Sequence, residues 1–572
     1  MEAVCHRADG PLNVPMSFSG TAAILMIAPP RDCVIIPPLA NHEPLKYDIL
    51  HAMEKAATDI YTFENLRKGG FTYVDKTAIL KELVDLSRGK QFFIARPRRF
   101  GKSLAVSTLK CLFEGKRELF EGLAIEPEWD WSKKWPVLHL DMGSAQTTNV
   151  PEIKVIWRDM LSKECVRNGI SYRDSEIPSI ALSNVINDLA AESDDGQVVI
   201  LIDEYDKPLL GHLMTPQVTE FKDALKAFYS VLKTLEGKQR FLFLTGVSKF
   251  SKVSIFSDLN NLKDYTLNAA VATLFGYTHD EVRRYFPCCL AALGEQLGKD
   301  ADGAFADIVK WYDGYRFHQN AETVVNPVSL GMTFDSMEFA NWWSLTAMPT
   351  FLLDFFKARP MDVSDLSVSD ADLAAYEPER IKPVTLLFQT GYLTIKGFEQ
   401  VGASRRYLLG FPNLEVENSF LTDLSSVYVG TDNSGSANIA AATNKALLAR
   451  DPEGFVEAFR QFFAAIPYDL TDRQNEQSWQ AIMYVVLRVI GINVDGEVRT
   501  HKGRIVLIIE TAMDAYIIEV KRDSTAKKAI EQIQDKSYTD RFRPSGKPIT
   551  LIGIAFSTKK RTVSGVKIVR DA

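Results

Sequence analysis

Cysteine is scarce in this chain of 572 residues, and no two cysteines show the C-x-x-C spacing of a zinc ribbon or a redox pair. Scattered thiols indicate neither a metal-binding framework nor a disulfide framework. A reducing compartment is the simplest setting for such a chain, so the sequence predicts a cytoplasmic protein. The six cysteines are Cys5, Cys33, Cys111, Cys165, Cys288 and Cys289.

Long hydrophobic runs and an excess of positive charge are also missing. No apolar run approaches the ~18–20 residues of a membrane span, and no basic segment leading into an apolar stretch marks a signal peptide. We therefore expect no membrane partner. The formal net charge of −7 argues against a globally basic nucleic-acid-binding protein, but it leaves room for a local basic groove.

The texture of the chain changes three times along its length. Residues 1–57 contain seven prolines without helical or strand periodicity, which predicts an irregular N-terminal extension. Residues 58–270 alternate short apolar runs with amphipathic helical stretches, residues 271–470 are mainly helical, and residues 471–572 mix strands and helices again. At roughly 100–200 residues per domain, the length agrees with three domains after the extension.

Buried strands are predicted in the second and fourth of these segments. Runs at 91–95, 136–140, 198–202 and 240–244, with helical patterns between them, predict an α/β fold with a parallel sheet covered on both faces. Strand-like pieces at 391–395 and 407–410 interrupt the helical third segment. In the last segment we expect a helix at 476–490, strands at 503–510 and 516–521, a helix at 525–541, and strands at 549–556 and 565–569.

A phosphate-binding (Walker A) loop is predicted directly after the first of these strands. Gly101-Lys102-Ser103 ends the loop and precedes an apolar stretch that opens a helix, which is the strand–loop–helix context that such a loop needs. Backbone N–H groups and the helix N-terminus would hold phosphates, Lys102 would reach the β- and γ-phosphates, and Ser103 would bind Mg²⁺. The general pattern places a glycine where this chain has Arg96. The expected nucleotide-binding residues of the loop are Arg98, Arg99, Phe100, Gly101, Lys102 and Ser103.

Two adjacent carboxylates end the strand at 198–202 and predict a Walker B motif. Ligands bind at the carboxyl ends of strands in open α/β sheets, so Asp203 is expected to bind Mg²⁺ and Glu204 to act as the base that polarises the attacking water. The alternative is that both residues begin a solvated loop. Thr245 and Ser248 end the strand at 240–244 and are candidate γ-phosphate sensors, or else hydroxyls that cap the following loop.

A second constellation, Glu519-Val520-Lys521, lies on a predicted strand of the last segment. Residues two apart on a strand share one face, so Glu519 and Lys521 form a charged pair. In metal-dependent nucleases such a Glu binds Mg²⁺ and such a Lys activates the attacking water. The alternative is an edge strand with solvated charges.

These motifs together resemble the AAA-ATPase-like family whose members carry a C-terminal PD-(D/E)XK nuclease-like domain. The resemblance implies a P-loop NTPase domain at 58–270, a helical lid with a winged-helix-like piece at 271–470, and a restriction-endonuclease-like α/β domain at 471–572. It also implies ATP and Mg²⁺ as cofactors, and an arginine-rich phosphate loop without the first glycine. The residues that carry it are 73–77, 96–103, 202–208, 244–250, 311–317, 326–327, 389–393, 503–505, 507–511, 519–521, 529–533, Tyr538 and 551–554.

One position departs from the family pattern in a way that bears on mechanism. After Gly503-Arg504-Ile505 the pattern has an aspartate, the main metal ligand, and this chain has Val506. Glu510 lies four residues on, about 13 Å along a strand, too far to replace that aspartate directly. Glu497 is another candidate to replace it, less well placed by sequence. Glu476 and Gln532 match positions that line such sites. We expect an intact nuclease-like fold with weak or absent cleavage.

The sequence therefore predicts an ATP-hydrolysing switch coupled to a nuclease-like domain that binds DNA or RNA. Two alternatives stay open, an active ATP-regulated, metal-dependent DNA nuclease of the defence type and a non-enzymatic ATP-binding interaction protein.

Arg283 and Arg284 are candidates to reach the nucleotide from the lid. AAA-type ATPases often complete their site with a neighbour's arginine, so the resemblance leaves a homo-oligomer open. The aromatic motif at 311–317 is expected to be a tight turn at Asp313-Gly314 flanked by packing residues.

Overall fold

A computed structural model gives the fold of most of the chain. It describes residues 5–7, 10–12, 56–85, 89–145, 147–213, 215–249, 261–343, 352, 366–374, 383–402, 404–429, 438, 441–443, 445–446, 449–464, 497–500, 505–510, 514–535, 539, 546–557, 559–560 and 562–571. Within 1–57, two short antiparallel strands, β1 (Cys5–Arg7) and β2 (Gly10–Leu12), are described.

The central sheet has five parallel strands in the order β4-β5-β6-β3-β7. All four apolar runs read from the sequence form strands, because a strand covered on both faces needs a nearly continuous apolar run. The short edge strand β7 was not predicted. The bounds are β3 Gln91–Ala95, β4 Val137–Asp141, β5 Val198–Asp203, β6 Gln239–Gly246 and β7 Lys263–Asp264.

Helices surround this sheet, and their apolar faces build its core. Val106, Leu109 and Phe113 of α3 are fully buried beside Phe92 and Phe241 of the sheet. The helices are α1 Phe63–Lys68, α2 Thr77–Val84, α3 Lys102–Phe113, α4 Val150–Arg167, α5 Pro178–Ala191, α6 Lys207–Leu210, α7 Val218–Tyr229 and α8 Val231–Thr234.

The middle region combines helices with a small antiparallel sheet of order β8-β10-β9. Its helices α9 to α12 enclose a core of their own, but Tyr315, Phe317, Trp343 and Tyr392 belong to the core of the central sheet. The core is therefore continuous across residue 270. The elements are α9 His279–Tyr285, α10 Pro287–Leu297, α11 Ala301–Tyr312, α12 Pro327–Ser336, β8 Ser367–Ser369, α13 Asp370–Ala374, α14 Pro383–Thr390, β9 Thr394–Val401, β10 Ser404–Gly410, α15 Leu414–Val429 and α16 Pro452–Ala464.

The C-terminal sheet is mixed, with the order β11-β12-β13-β14-β15 and parallel pairing only between β13 and β14. Helix α17 buries Ala529, Ile530 and Ile533. Every predicted strand is present, whereas β11 was not predicted and the helix expected at 476–490 lies outside the described residues. The bounds are β11 Glu497–Thr500, β12 Ile505–Glu510, β13 Ala515–Arg522, α17 Ala526–Asp535, β14 Ile549–Ser557 and β15 Thr562–Asp571. Among the described helices, none has the length and apolarity to cross a membrane.

Candidate nucleotide and nuclease-like sites

The carboxyl ends of four central strands meet at one edge of the sheet. The register pairs Ala95 with Gly246 and Asp141 with Asp203, so the phosphate loop follows β3 at the edge where the carboxylates of β5 begin. Strand β6, which carries Thr245, lies between them. Parallel strands thus bring together motifs that are about a hundred residues apart in the chain.

The phosphate loop ends in a glycine that its backbone requires. Gly101 has φ 86° and ψ 22° and precedes the first residue of α3; this left-handed conformation is costly for residues with a Cβ. No atom lies within 4 Å of the position that a Cβ would take, so there is open room at the helix N-terminus. A helix N-terminus facing open space suits phosphate, and these residues therefore fit the ATP that the family pattern implies.

Lys102 is buried and bound to the loop itself. Its ammonium donates hydrogen bonds to the carbonyls of Arg96 (3.0 Å) and Pro97 (2.8 Å). Burial lowers the pKa of Lys102, whereas the nearby carboxylates of Asp203 and Glu204 raise it. The lysine is thus held at the loop with carboxylates of the β5 end close enough to act on its charge.

Asp203 is held by its neighbours on both sides. It is 2% exposed, and its Oδ1 accepts hydrogen bonds from the Thr245 hydroxyl and from the Glu204 N–H. Among the described residues, none donates a hydrogen bond to its other oxygen, Oδ2. Together with the Ser103 hydroxyl on the first turn of α3, this donor set suits Mg²⁺, which takes one or two carboxylates and fills its other positions with water and phosphate. The described residues contain no cluster of three or more His, Cys, Asp or Glu side chains for a metal.

Glu204 stands in a conformation that few non-glycine residues adopt. Its φ is 50°, and its side chain is 29% exposed with Oε2 3.6 Å from the Lys207 ammonium. Strained backbone is often retained at functional sites. The half-exposed carboxylate can reach a water molecule, which the wholly buried Asp203 cannot do as readily.

Sequence reasoning missed Asp206, which fixes the end of β6. This residue is 1% exposed, and its carboxylate accepts the Val247 N–H (3.2 Å), the Ser248 N–H (2.6 Å) and the Ser248 hydroxyl. Burial raises the pKa of Asp206, and these hydrogen bonds oppose that rise. The Ser248 hydroxyl is therefore committed to Asp206. A third acidic residue so soon after a buried strand was the available signal.

The three arginines of the loop differ in their surroundings. Arg98 is exposed. Arg96 is 1% exposed and donates to the carbonyls of Ala95, Thr266 and Val271, and burial lowers its pKa to about 9. Its guanidinium also lies 4.2 Å from the centre of the Phe317 ring. At the position of the usual glycine, Arg96 is therefore a buried side chain that connects the loop to residues 266, 271 and 317.

Arg99 and Phe100 point toward the middle region. The Arg99 guanidinium donates to the Trp342 carbonyl at 2.7 Å, and the buried Phe100 ring packs edge-on against Tyr315 at 4.6 Å and Phe317 at 5.5 Å. Their side chains connect the loop to its support, while their backbone groups remain in the loop. The aromatic motif at 311–317 thus packs two regions together, and Gly314, with φ 106°, forms its turn.

Arg283 and Arg284 contact their own surroundings in the middle region. Arg283 stacks over Phe305 at 3.8 Å and lies 3.5 Å from Asp302, and Arg284 lies over Tyr285. The structure therefore shows neither arginine in contact with the phosphate loop.

The C-terminal sheet brings Glu519, Lys521 and Gln532 together. Glu519 on β13 is wholly buried, with the Lys521 ammonium 2.9 Å from its Oε1. The same ammonium donates to Gln532 Oε1 on α17. This places the charged pair under a helix, not on a solvated edge strand.

The backbone register places Val506 directly opposite Glu519. Glu510 is paired with Ala515 at the other end of the same two strands, and Glu497 is paired with Ile508. Neither acidic residue stands at the register position of Val506. Glu476 lies outside the described residues.

Two stretches of the chain match known protein families. Residues 58–256 match the family model described as "Predicted AAA-ATPase", and residues 474–565 match that of the PD-(D/E)XK nuclease superfamily. The chain is 36% identical over 527 residues to the "Uncharacterized protein in vnfD 5'region" of Azotobacter chroococcum mcd 1, covering 90% of this chain and 98% of that protein. No solved structure matches the chain.

Proposed function

The chain belongs to the family of AAA-ATPase-like proteins that carry a C-terminal PD-(D/E)XK nuclease-like domain, and we propose that it is an ATP-hydrolysing switch whose C-terminal domain binds nucleic acid. The carboxyl edge of the central sheet carries the first half of this proposal. There the phosphate loop lies near a buried, hydroxyl-supported Asp203 and a half-exposed Glu204.

Each side chain at this edge has a separate part in the proposed reaction. The N-terminus of α3 binds the phosphates, and Lys102 exchanges its two loop carbonyls for phosphate oxygens. Mg²⁺ held by Ser103 and Asp203 offsets phosphate charge when it is bound. Thr245 orients Asp203, and Glu204 positions the attacking water and accepts its proton.

Two substitutions separate hydrolysis from mere ATP binding. Lys102→Ala should abolish ATP binding, whereas Glu204→Gln should keep binding and lower the hydrolysis rate by roughly 10²- to 10⁴-fold, as the loss of a general base does. Glu192→Gln, at the exposed residue that follows α5, is the matched control and should hydrolyse ATP normally. A wild-type chain that binds ATP without turnover would favour the non-enzymatic alternative.

The second half of the proposal is supported by a basic edge of the C-terminal sheet, which comprises Lys521, Arg522, Lys527, Lys528, Lys559 and Lys560. Strands β13 and β14 are parallel, so their carboxyl ends adjoin, and both α17 and the β14–β15 turn start there. Lys527, Lys528, Lys559 and Lys560 are exposed. Three acidic residues pair with this edge, Glu519 with Lys521, Asp523 with Arg522 and Glu531 with Lys527. Among the described residues, Lys528, Lys559 and Lys560 have no ion pair, so positive charge prevails locally in a chain of net charge −7.

Two of these lysines lie where a positive charge is unfavourable for the fold itself, and this supports binding of an anionic ligand there. Lys527 and Lys528 lie in the first turn of α17, and that first turn contains no acidic residue. A cation there opposes the helix dipole, at a cost of about 0.3–1 kcal/mol each. A phosphate backbone laid along this edge would remove that cost.

The salt dependence of nucleic-acid binding tests this surface. Lys559→Glu/Lys560→Glu should weaken binding of a DNA or RNA duplex, and the slope of log affinity against log salt should flatten by roughly 0.9 for each lost phosphate contact. Lys163→Glu, exposed on α4, serves as the control. Equal affinity in all three proteins would contradict the proposed surface. Nucleic acid added to the ATPase assay would reveal coupling between the domains.

Cleavage should be weak or absent because Val506 supplies no ligand atom opposite Glu519. Mg²⁺ or Mn²⁺ held there would activate the attacking water in an intact nuclease site. The convergence of Glu519, Lys521 and Gln532 keeps the active DNA nuclease as the second candidate. Metal-dependent cleavage by the wild-type protein, abolished by Glu519→Ala, would establish that candidate instead. The free thiols of Cys111 and Cys165 support the proposal of a cytoplasmic setting.

A further inference from the structure

The phosphate loop is fastened to the middle region at three successive points. Pro97 lies against Gly391, where an added Cβ would come within 2.5 Å of the proline ring. Arg99 donates to the Trp342 carbonyl at 2.7 Å, and Phe100 packs against Tyr315 and Phe317. A loop held in this way takes its shape partly from residues far along the chain.

Arg99 is the point where this attachment acts on the loop backbone. Its φ of 65° is left-handed, a conformation that costs a residue with a Cβ about 1–2 kcal/mol. Such strain persists only when the surroundings impose it. The guanidinium–Trp342 hydrogen bond and the burial of the next residue, Phe100, are the contacts that impose it here.

A buried carboxylate in turn holds the segment that Arg99 grips. Glu415, on the first turn of α15, is fully buried. Its Oε1 accepts the Trp343 N–H at 2.6 Å, and its Oε2 accepts the Ser329 hydroxyl at 2.8 Å. The Trp342–Trp343 backbone is therefore bound on one side by Glu415 and on the other by Arg99.

We propose that Glu415 is a positioning residue for the nucleotide site, acting through the Trp342–Trp343 backbone and Arg99 on the shape of the phosphate loop. This inference rests on the proposed function, because it needs the loop to bind ATP. In this proposal, Arg99 couples the shape of the nucleotide-binding loop to the backbone of the middle region. Nucleotide affinity then depends on a carboxylate that touches no phosphate.

The protonation state of Glu415 gives this link a measurable signature. Burial raises the pKa of Glu415 to about 7, against the opposing effects of the Trp343 and Ser329 hydrogen bonds and the Arg99 charge. Within the described part of the chain, the other titratable groups that face it are the phenols of Tyr312 and Tyr315, whose pKa values burial raises, so they stay neutral. Above pH 7 the carboxylate attracts Arg99 and accepts both hydrogen bonds. Below pH 7 it becomes neutral and its hold on the segment weakens.

The test is the affinity for a fluorescent ATP analogue, measured from pH 6 to pH 8 in the full chain. Wild type should bind more tightly at pH 8 than at pH 6. Glu415→Gln should bind roughly 3- to 10-fold more weakly at pH 8, which lies within the range by which residues remote from a ligand modulate coupling, and should lose the inflection near pH 7. Glu417→Gln, two residues on in the same helix and half-buried, is the control and should keep the wild-type profile.

A second variant guards against a general loss of folding. Arg99→Gln should weaken binding by a similar factor, and the double variant with Glu415→Gln should bind no more weakly than the weaker single variant, since both act through one segment. Additive losses, or an unchanged inflection in Glu415→Gln, would overturn the inference while leaving ATP binding in place. A wild-type chain that binds no ATP analogue at any pH would overturn the proposed function itself.

Discussion

Acidic side chains lie on buried strands in two places, at the carboxyl edge of the central sheet with Asp203 and Glu204 (the nucleotide edge) and around Glu519, Lys521 and Gln532 (the C-terminal cluster). The two places differ in the exposure and the partners of those side chains. At the nucleotide edge, Asp203 is supported by Thr245, and Glu204 beside it is 29% exposed. In the C-terminal cluster, Glu519 is wholly buried, and its neighbour Lys521 also binds Gln532. The first arrangement divides support and reactivity between two adjacent carboxylates, whereas the second has one carboxylate held by a cation.

A carboxylate at a strand position supplies only one of the ligands that a metal ion needs. Mg²⁺ needs several hard oxygen ligands at nearly octahedral geometry. The nucleotide edge can supply a carboxylate and a hydroxyl, with phosphate oxygens from the ligand. The C-terminal cluster has Val506 at the register position opposite Glu519, and the ammonium of Lys521 takes the place near the carboxylate where a cation would be attracted.

Restoring one carboxylate should therefore have the largest effect on this comparison. Val506→Asp places an oxygen ligand at the register position opposite Glu519, and we expect Mn²⁺- or Mg²⁺-dependent DNA cleavage to appear above the wild-type level. Gel analysis of a plasmid substrate measures it. Adding Glu519→Gln should remove the gained activity. If Val506→Asp folds, binds DNA and still does not cleave, the missing aspartate is not what separates the two sites.

The sequence predicted the strands of the central sheet well because these depend on local patterns. A strand covered on both faces is a continuous apolar run, so 91–95 and 198–202 could be identified within one residue of β3 and β5. The meeting of Asp203 with Thr245 follows from the parallel order of neighbouring strands. The short strands β7 and β11 have no such run and were missed.

The supports of the site could not be predicted, because their partners are remote in the chain. Arg96 binds carbonyls 170 and 175 residues away, and Glu415 binds Trp343 from 72 residues away. No periodicity encodes these pairs. Arg99 illustrates the result, since its place in the loop suggested a phosphate ligand and its side chain instead contacts the middle region.

The support given by Asp206 should have the next largest effect. Asp206→Ala leaves the N–H groups of Val247 and Ser248 and the Ser248 hydroxyl without their acceptor, and unsatisfied buried donors cost about 1–3 kcal/mol each. We expect a loss of roughly 3 kcal/mol in unfolding free energy, measured as a shift of the urea midpoint. Asp302→Ala removes an 85% exposed carboxylate and should change stability by less than about 0.5 kcal/mol. Equal midpoints for the two variants would contradict the structural part assigned to Asp206.

Gly101 should show the smallest of these effects and the most local one. Its φ of 86° with open space around the Cβ position means that Gly101→Ala meets no clash, only backbone strain of about 1–2 kcal/mol. Gly298, at the end of α10, has φ 67° and the same open space. Gly298→Ala should therefore lower stability by a similar amount without touching the nucleotide site. We expect Gly101→Ala alone to weaken binding of the fluorescent ATP analogue, by roughly 10-fold if the strain is relieved by reshaping the loop. Equal weakening of binding by Gly298→Ala would mean that the loss reflects the stability of the whole protein. The effect of Gly101→Ala would then not be specific to the phosphate loop.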